Sequence, residues 1–444
     1  MLSPLKYSLS IEVRPYEGVI DAVAKVKVIN SGKEPTAKLL ALLNKGLRVS
    51  EVDARGACVK SFKQYVASVA GVEGLRVNVV EVTLEEPLTP GDEAVIEVRY
   101  EGAVTGYEDV FPYVKDRVSA EYALVRPDAF SYPVLGPPDF RALVSTLPRQ
   151  RFDYEVVVTV PKGFVAANVG GLKGVKERNE HITYVFRSKL PSWRVDVAVS
   201  RFAVVEDGAL DIRVYSLPED IGHARRILEE VPGCLKLYRD LLGDPPAWVG
   251  YTIIEIPEGW GGQADMAGAL IPADSFRNPK EINGVYHELA HLWNPLSGEE
   301  APSRFLDEGI ASYLQLIAED KLLGVRLEDR LGDARRMLKE LAKRRPDLLN
   351  TPVSEYGKAG LTDASYAAGP IILHNLREAL GDERFWAAMK SFIRRFRNHP
   401  ATLEDFVNTF AETCGEDARK LLKEWLFSTA PIKELIDEGT TSSR

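Results

Sequence analysis

The segment His287-Glu288-Leu289-Ala290-His291-Leu292-Trp293 constrains this chain more than any other. Two imidazoles four residues apart reach a common point only on an α-helix, where four residues rise roughly 6 Å and return to one face. The flanks agree: Asn278 supplies an N-cap, Pro279 a first helical position, Glu281 a capping-box partner and Pro295 a stop. Ile282, Val285, Leu289 and Leu292 form one apolar stripe, which leaves His287 and His291 on the opposite side. Separated from His291 by sixteen residues, Glu308 lies in a second amphipathic run marked by Leu306, Ile310, Tyr313, Leu314 and Ile317. Two imidazoles and one carboxylate are the protein ligands of a catalytic zinc ion, with the fourth position left to water. Glu288 stands one step round the helix, where it can take the proton of that water. The expectation is one zinc ion held by His287, His291 and Glu308, with Glu299, Glu300 and Asp307 as alternative carboxylates. Ser312 and Tyr286 lie close enough in sequence to support the site, and packing explains each equally well.

The same residues resemble the gluzincin aminopeptidases, the family of alanyl aminopeptidases and leukotriene A4 hydrolase. The match lies in His-Glu-Leu-Ala-His-Leu-Trp at 287 to 293 and Phe-Leu-Asp-Glu-Gly-Ile-Ala-Ser-Tyr at 305 to 313, where the family usually reads W-L-N-E-G-F-A-S-Y. The spacer between the second histidine and the glutamate is slightly shorter here. The resemblance implies zinc on His287, His291 and Glu308, with Glu288 as general base. It also implies that Tyr366, in Ser365-Tyr366-Ala367-Ala368-Gly369-Pro370, donates its hydroxyl to the oxyanion formed when water attacks a peptide carbonyl. Such a preplaced donor contributes on the order of 3 kcal/mol.

One family element departs from the pattern. Aminopeptidases of this family carry G-A-M-E-N ahead of W-G-L-I, and that glutamate holds the substrate's free amino terminus. The corresponding stretch is Gly261-Gly262-Gln263-Ala264-Asp265-Met266, followed by Leu270-Ile271, which puts Met266 in the glutamate's place. A thioether cannot pair with an ammonium group. Asp265 is a substitute if the loop shifts by one residue, Gln263 offers a neutral acceptor, and the glycines suit a strand edge along which a peptide can lie. The substrate expectation is a peptide, cut by an aminopeptidase-like enzyme with an altered amino-binding motif. An endopeptidase or oligopeptidase, an epoxide-type hydrolase and a non-catalytic scaffold are the alternatives.

Composition fits such an enzyme. At 444 residues the chain exceeds one ordinary core, and 45% hydrophobic with 27% charged residues is a globular balance. The net charge of −9 argues against nucleic acid as a partner. Cys58, Cys234 and Cys414 are odd in number and far apart, so they read as buried free thiols. The amino terminus lacks the apolar segment of a signal peptide and no apolar run is long enough to span a bilayer, which points to a soluble, cytoplasmic protein without a membrane partner.

Periodicity divides the chain near residue 205. Alternation marks strands at Tyr7 to Val13, Ile20 to Ile29, Leu75 to Leu84, Ala94 to Tyr100, Tyr154 to Val160, His181 to Phe186 and Val195 to Val199. Helical spacing follows at Ile221 to Leu242, Arg304 to Leu323, Leu327 to Ala342, Tyr366 to Leu380, Asp382 to Phe396, Leu403 to Thr413 and Ala418 to Phe427, with a strand at Val249 to Ile256. The fold expected is α+β and multidomain. An antiparallel, β-sandwich-like domain spans 1–204, a mainly helical domain similar to thermolysin spans 205–435, and 436–444 is a fraying tail. By the same resemblance, the family's further carboxy-terminal helical domain is missing, which leaves the cleft unlidded.

Overall fold

The computed structural model describes residues 2–245, 247–277, 283–397, 399–430 and 432. They form an α+β protein in two compact units, one of residues 1–228 with 249–277, the other of 229–248 with 278–444. The change in periodicity near 205 is therefore a change of element type and does not coincide with the division between the units.

The first unit is built from strands β1 (Leu2–Arg14), β2 (Val19–Asn30), β3 (Thr36–Leu43), β4 (Leu47–Arg55), β5 (Val59–Ser68), β6 (Arg76–Leu88), β7 (Glu93–Gly102), β8 (Ala123–Val125), β9 (Val134–Leu135), β10 (Asp153–Pro161), β11 (Val165–Ala167), β12 (Gly171–Arg178), β13 (His181–Arg187) and β14 (Val197–Ser200). A seven-stranded sheet runs β12-β13-β10-β1-β2-β7-β4 and a four-stranded sheet runs β5-β6-β3-β9. Their inner faces share one apolar core, to which Tyr7, Leu9, Val26 and Val156 contribute from the first sheet and Leu42, Val79 and Val82 from the second. This is the sandwich expected from alternation, seen in β2 as buried Ile20, Ala22, Ala24, Val26 and Val28. It is not wholly antiparallel: β1 and β10 pair in parallel, Tyr7 opposite Tyr154. A connection of well over a hundred residues separates them, so no hairpin turn fixes their relative direction. β5 forms the edge of the smaller sheet and exposes Phe62, Tyr65 and Val66.

The same unit carries a five-stranded sheet, β15-β16-β17-β19-β18, from β15 (Ala203–Asp207), β16 (Ile212–Ser216), β17 (Tyr251–Ile256), β18 (Gln263–Asp265) and β19 (Gly268–Pro272). Tyr251 to Ile256 are buried without alternation, as a strand covered on both faces must be. Cys58 is exposed, contrary to the expectation for all three thiols, while Cys234 and Cys414 are buried; all three are free. Cys58 lies in the bend before β5, a strand that presents most of its residues to solvent.

Helices α1 (Phe140–Thr146), α2 (Ile221–Leu242) and α3 (Ala273–Arg277) precede the site. The second unit packs α4 (Asn283–Ala290), α5 (Ile310–Leu323), α6 (Leu327–Arg344), α7 (Tyr356–Ala359), α8 (Ser365–Leu380), α9 (Asp382–Arg395), α10 (Leu403–Cys414) and α11 (Glu416–Phe427). α5 lies centrally, against α4, α6 and α8. No helix among the described residues is long and apolar enough to cross a membrane.

Candidate metal centre

The histidine segment is helical through Ala290 and closes in a 3-10 turn over His291–Trp293, ahead of Pro295. Val285, Leu289 and Leu292 are buried, as the stripe requires. Asn278, Pro279, Glu281 and Ile282 lie outside the described residues. Glu308 sits in a π-turn, Phe305–Gly309, in which the amides of both Glu308 and Gly309 donate to the Arg304 carbonyl at 2.9 and 3.1 Å. Single π-turns of this kind re-aim a side chain at functional sites. Arg304, which opens the turn, holds a left-handed backbone at φ 68°, a strained state for a residue with a side chain.

These elements bring His287, His291 and Glu308 together, with one ligand atom from each inside 4.8 Å of the others. His287 Nε2 is 3.0 Å and His291 Nε2 3.6 Å from Glu308 Oε2. Ligands on one tetrahedral zinc ion with bonds near 2.0–2.1 Å stand about 3.3 Å apart, a spacing that the two contacts to Glu308 bracket. The donor set leaves a fourth position. The alternative carboxylates stand elsewhere: Glu299 accepts from the Leu403 amide and Asp307 pairs with Arg304 at 2.5 Å, and neither these two nor Glu300 enters the cluster.

The charges are arranged to hold a cation. Burial would raise the Glu308 carboxyl, but the hydrogen bond from His287 and the charges of His291 and Arg304 hold it down at about 2. Burial pulls His291 down to about 4, against the attraction of Glu308. Burial also opposes protonation of His287, and there Glu308 and Glu288 prevail and lift it above its ordinary value. The Glu288 carboxylate approaches His291 Nε2 at 3.9 Å, beside the ligand atoms.

Tyr366 lies in the first turn of α8, as the helical spacing from Tyr366 to Leu380 leads one to expect. Its ring stacks on His287 with centroids 5.8 Å apart and planes at 14°. Burial first, and the nearby Glu308 charge second, push its hydroxyl well above the usual range, so it stays a proton donor at working pH. Two glycines create this proximity. A Cβ on Gly369 would stand 2.4 Å from Gly309 Cα, so the backbones of α8 and the π-turn touch at a point where only glycine fits. Ser365 Oγ, donating to the Ser303 carbonyl at 2.6 Å, pins the start of α8 to the same turn.

Sequence reasoning overlooked Arg304, Gln315 and the Gly309–Gly369 contact. Arg304 donates to Glu308 and Asp307. Gln315 follows Glu308 by two helical turns and so faces the same way, a spacing that was there to be read. Tyr286, by contrast, is a packing residue, its carbonyl accepting from Tyr238 and its hydroxyl 3.4 Å from Glu230. Ser312 is buried on α5.

The glycine segment belongs to the first unit. β18 is the edge of its sheet and, among the described residues, pairs only with β19. Arg126 donates to the Gly261 carbonyl at 2.6 Å, and Arg194 to Gln263 Oε1 at 3.0 Å. Asp265, one of the two acceptors considered for the missing glutamate's place, is engaged within the unit: Arg151 pairs with it at 3.1 Å, Ser192 donates to it, and its side chain is only 7% exposed. A carboxylate already neutralised by guanidinium has little attraction left for a substrate ammonium. Gly262 and Ala264 offer backbone alone.

A β-rich amino-terminal portion is thus followed by a helical portion whose two histidines and one glutamate could hold a metal ion. Residues 272–425 match the Peptidase family M1 domain. Among curated proteins, probable aminopeptidase 2 of Sulfurisphaera tokodaii is 21% identical over 75% of this chain and 45% of its own length. Human endoplasmic reticulum aminopeptidase 1 is 22% identical over 94% of this chain and 46% of its own. The chain thus spans less than half the length of these relatives. The crystal structure of the M1 zinc metallopeptidase from Deinococcus radiodurans shares the fold, with a TM-score of 0.69, 22% identity, and coverage of 96% of this chain and 94% of that one. The match to the M1 peptidase domain thus falls on the part of the chain that holds the histidine–glutamate cluster, and the likeness to the Deinococcus structure is one of fold.

Proposed function

We propose that the chain is a zinc-dependent metallopeptidase that hydrolyses short peptides, related in action to the aminopeptidases but without their carboxylate for the free amino terminus. The convergence of His287, His291 and Glu308 inside 4.8 Å carries this reading. On it, the HExxH helix and the segment 205–435 make up a thermolysin-like catalytic domain. Zinc, when bound at the triad, supplies Lewis acidity toward a peptide carbonyl. Glu288 accepts a proton from the attacking water and returns it to the leaving amine. Tyr366 donates its hydroxyl to the oxyanion, and Arg304 holds Glu308 in its ionised, ligating form. In the first unit, the free edge of β18 at Gln263 to Asp265 has the form of a strand along which an extended peptide main chain can lie.

A tripeptide, Tyr-Ser-Ala, is bound as substrate in one structure of the Deinococcus relative, which agrees with short peptides as the substrate class. The engagement of Asp265 favours tolerance of blocked amino termini, and so an oligopeptidase within the same chemistry. A cytoplasmic enzyme working on peptides, without a nucleic-acid or membrane partner, belongs to the same reading, and the net charge of −9 supports the first of those exclusions. The test is a digest of paired free-amine and acetylated peptides, with Glu288→Gln as blank. Equal cleavage of both, lost in the blank, is expected. Cleavage of free-amine peptides alone would restore strict aminopeptidase anchoring, and an unchanged blank would remove the mechanism.

A further inference from the structure

The zinc reading leaves unexplained a row of polar groups running away from the triad through the interior. His287 Nδ1, the ring nitrogen facing away from Glu308, lies 3.2 Å from Gln315 Oε1. Gln315 Nε2 donates to Glu319 Oε1 at 2.8 Å. The other Glu319 oxygen accepts from Arg330 Nε on the neighbouring helix α6. Glu319 is completely buried, and Gln315 and Glu319 are four residues apart on α5, so a single helical face carries the row.

The chemistry of these groups fixes their orientation. A carboxylate is an acceptor only, so the Gln315 amide must turn its NH₂ toward Glu319 and its oxygen toward His287. An imidazole facing that oxygen carries its proton on Nδ1, which leaves the Nε2 lone pair directed at the metal position. A flipped amide would set two oxygens against each other in the interior and leave His287 Nδ1 facing a donor. Arg330 completes the arrangement by giving the buried Glu319 a charged partner.

Resting on the zinc reading, we propose that Gln315 is the positioning residue for the ligand His287, and that the buried Glu319–Arg330 ion pair keys its amide so that His287 always presents Nε2 to zinc. The device differs from a direct carboxylate–histidine contact. Its neutral amide fixes the tautomer while keeping the negative charge one residue further from the metal, so the bound ion retains more of its Lewis acidity.

Zinc affinity of the full chain, measured by competition with a chelating dye, tests this without reference to activity. Gln315→Leu removes the acceptor at nearly the same volume and is expected to weaken zinc roughly ten- to a hundredfold. Gln315→Glu restores an acceptor toward His287 but sets a second carboxyl against Glu319, so it is expected to recover affinity only in part, above the Gln315→Leu value and below the parent. Should Gln315→Leu fail to fold, Gln315→Met is read in its place. Zinc binding by the non-polar variant within twofold of the parent overturns the proposal. His287→Ala separates the two readings: if it abolishes tight zinc binding while Gln315→Leu does not, only the relay falls, and if the parent itself takes up no zinc, the metal site falls with it.

Discussion

At the scale of single residues, Tyr366 and Glu255 make distinct predictions. Tyr366→Phe keeps the ring that stacks on His287 and removes only the donor. Its kcat should fall about a hundredfold, on the order of 3 kcal/mol, with KM nearly unchanged, because the hydroxyl acts on charge that exists only in the transition state. Steady-state kinetics on one short peptide decides it. Glu255, far from the triad in sequence, is fully buried at the end of β17, with its Oε2 accepting from the Leu217 amide at 2.7 Å. Burial, then a hydrogen bond shared with Asp220, raises its carboxyl from 4.5 to about 8. Between those values the folded chain keeps a proton that the unfolded chain has released, so stability declines as pH rises through this window. Glu255→Gln removes the titration. Its melting temperature should match the parent near pH 5 and exceed it by several degrees at pH 8, and a parallel pair of melting curves across that range would count against the assignment.

Among the elements, the contact between the π-turn and α8 governs whether Glu308 and Tyr366 meet. Gly369→Ala places a methyl 2.4 Å from Gly309 Cα, against backbone that cannot yield as a side chain would. The two elements must part, at a cost of about 2 kcal/mol or more. Denaturant unfolding should show the loss, and activity should fall with it, although residue 369 touches no substrate. This level also shows where the sequence stops being legible. Helices α6 and α8 to α11 follow from amphipathic spacing to within a residue or two, α5 does so only at its end because the run expected from Arg304 becomes an α-helix at Ile310, and the triad follows from the helix geometry of His287 and His291. The π-turn does not, because five residues with an extra unit in the hydrogen-bond ladder have no composition of their own. β5 escapes because nearly all of it is exposed, which erases alternation, and β3 because Leu39 to Leu43 is an unbroken apolar run. Gln315 escapes because an amide gains meaning only from what stands on both sides of it. The engagement of Asp265 depends on Arg151 and Ser192, more than seventy residues earlier, and no local pattern reaches that far.

For the molecule as a whole, metal and stability should be coupled unevenly. The three ligands all belong to the unit of residues 229–248 and 278–444, while the β-rich unit supplies none. A ligand that binds only the folded form adds about 4 kcal/mol at a thousand times its dissociation constant. Calorimetry of chelator-stripped protein should therefore show one of two transitions moving upward when zinc is restored and the other standing still. A uniform shift of both would mean that the units unfold together.

The outer strand β5 carries a practical consequence. Its outer rim, with Phe62, Tyr65 and Val66 facing solvent, is a template on which another molecule can lay its own backbone, and exposed Lys60 is the kind of edge charge that opposes this, since Lys63 is already paired with Glu81. Screening by concentrated salt weakens that repulsion, so turbidity on storage should begin here, and swapping Val66 for lysine is the simplest way to keep stock solutions clear.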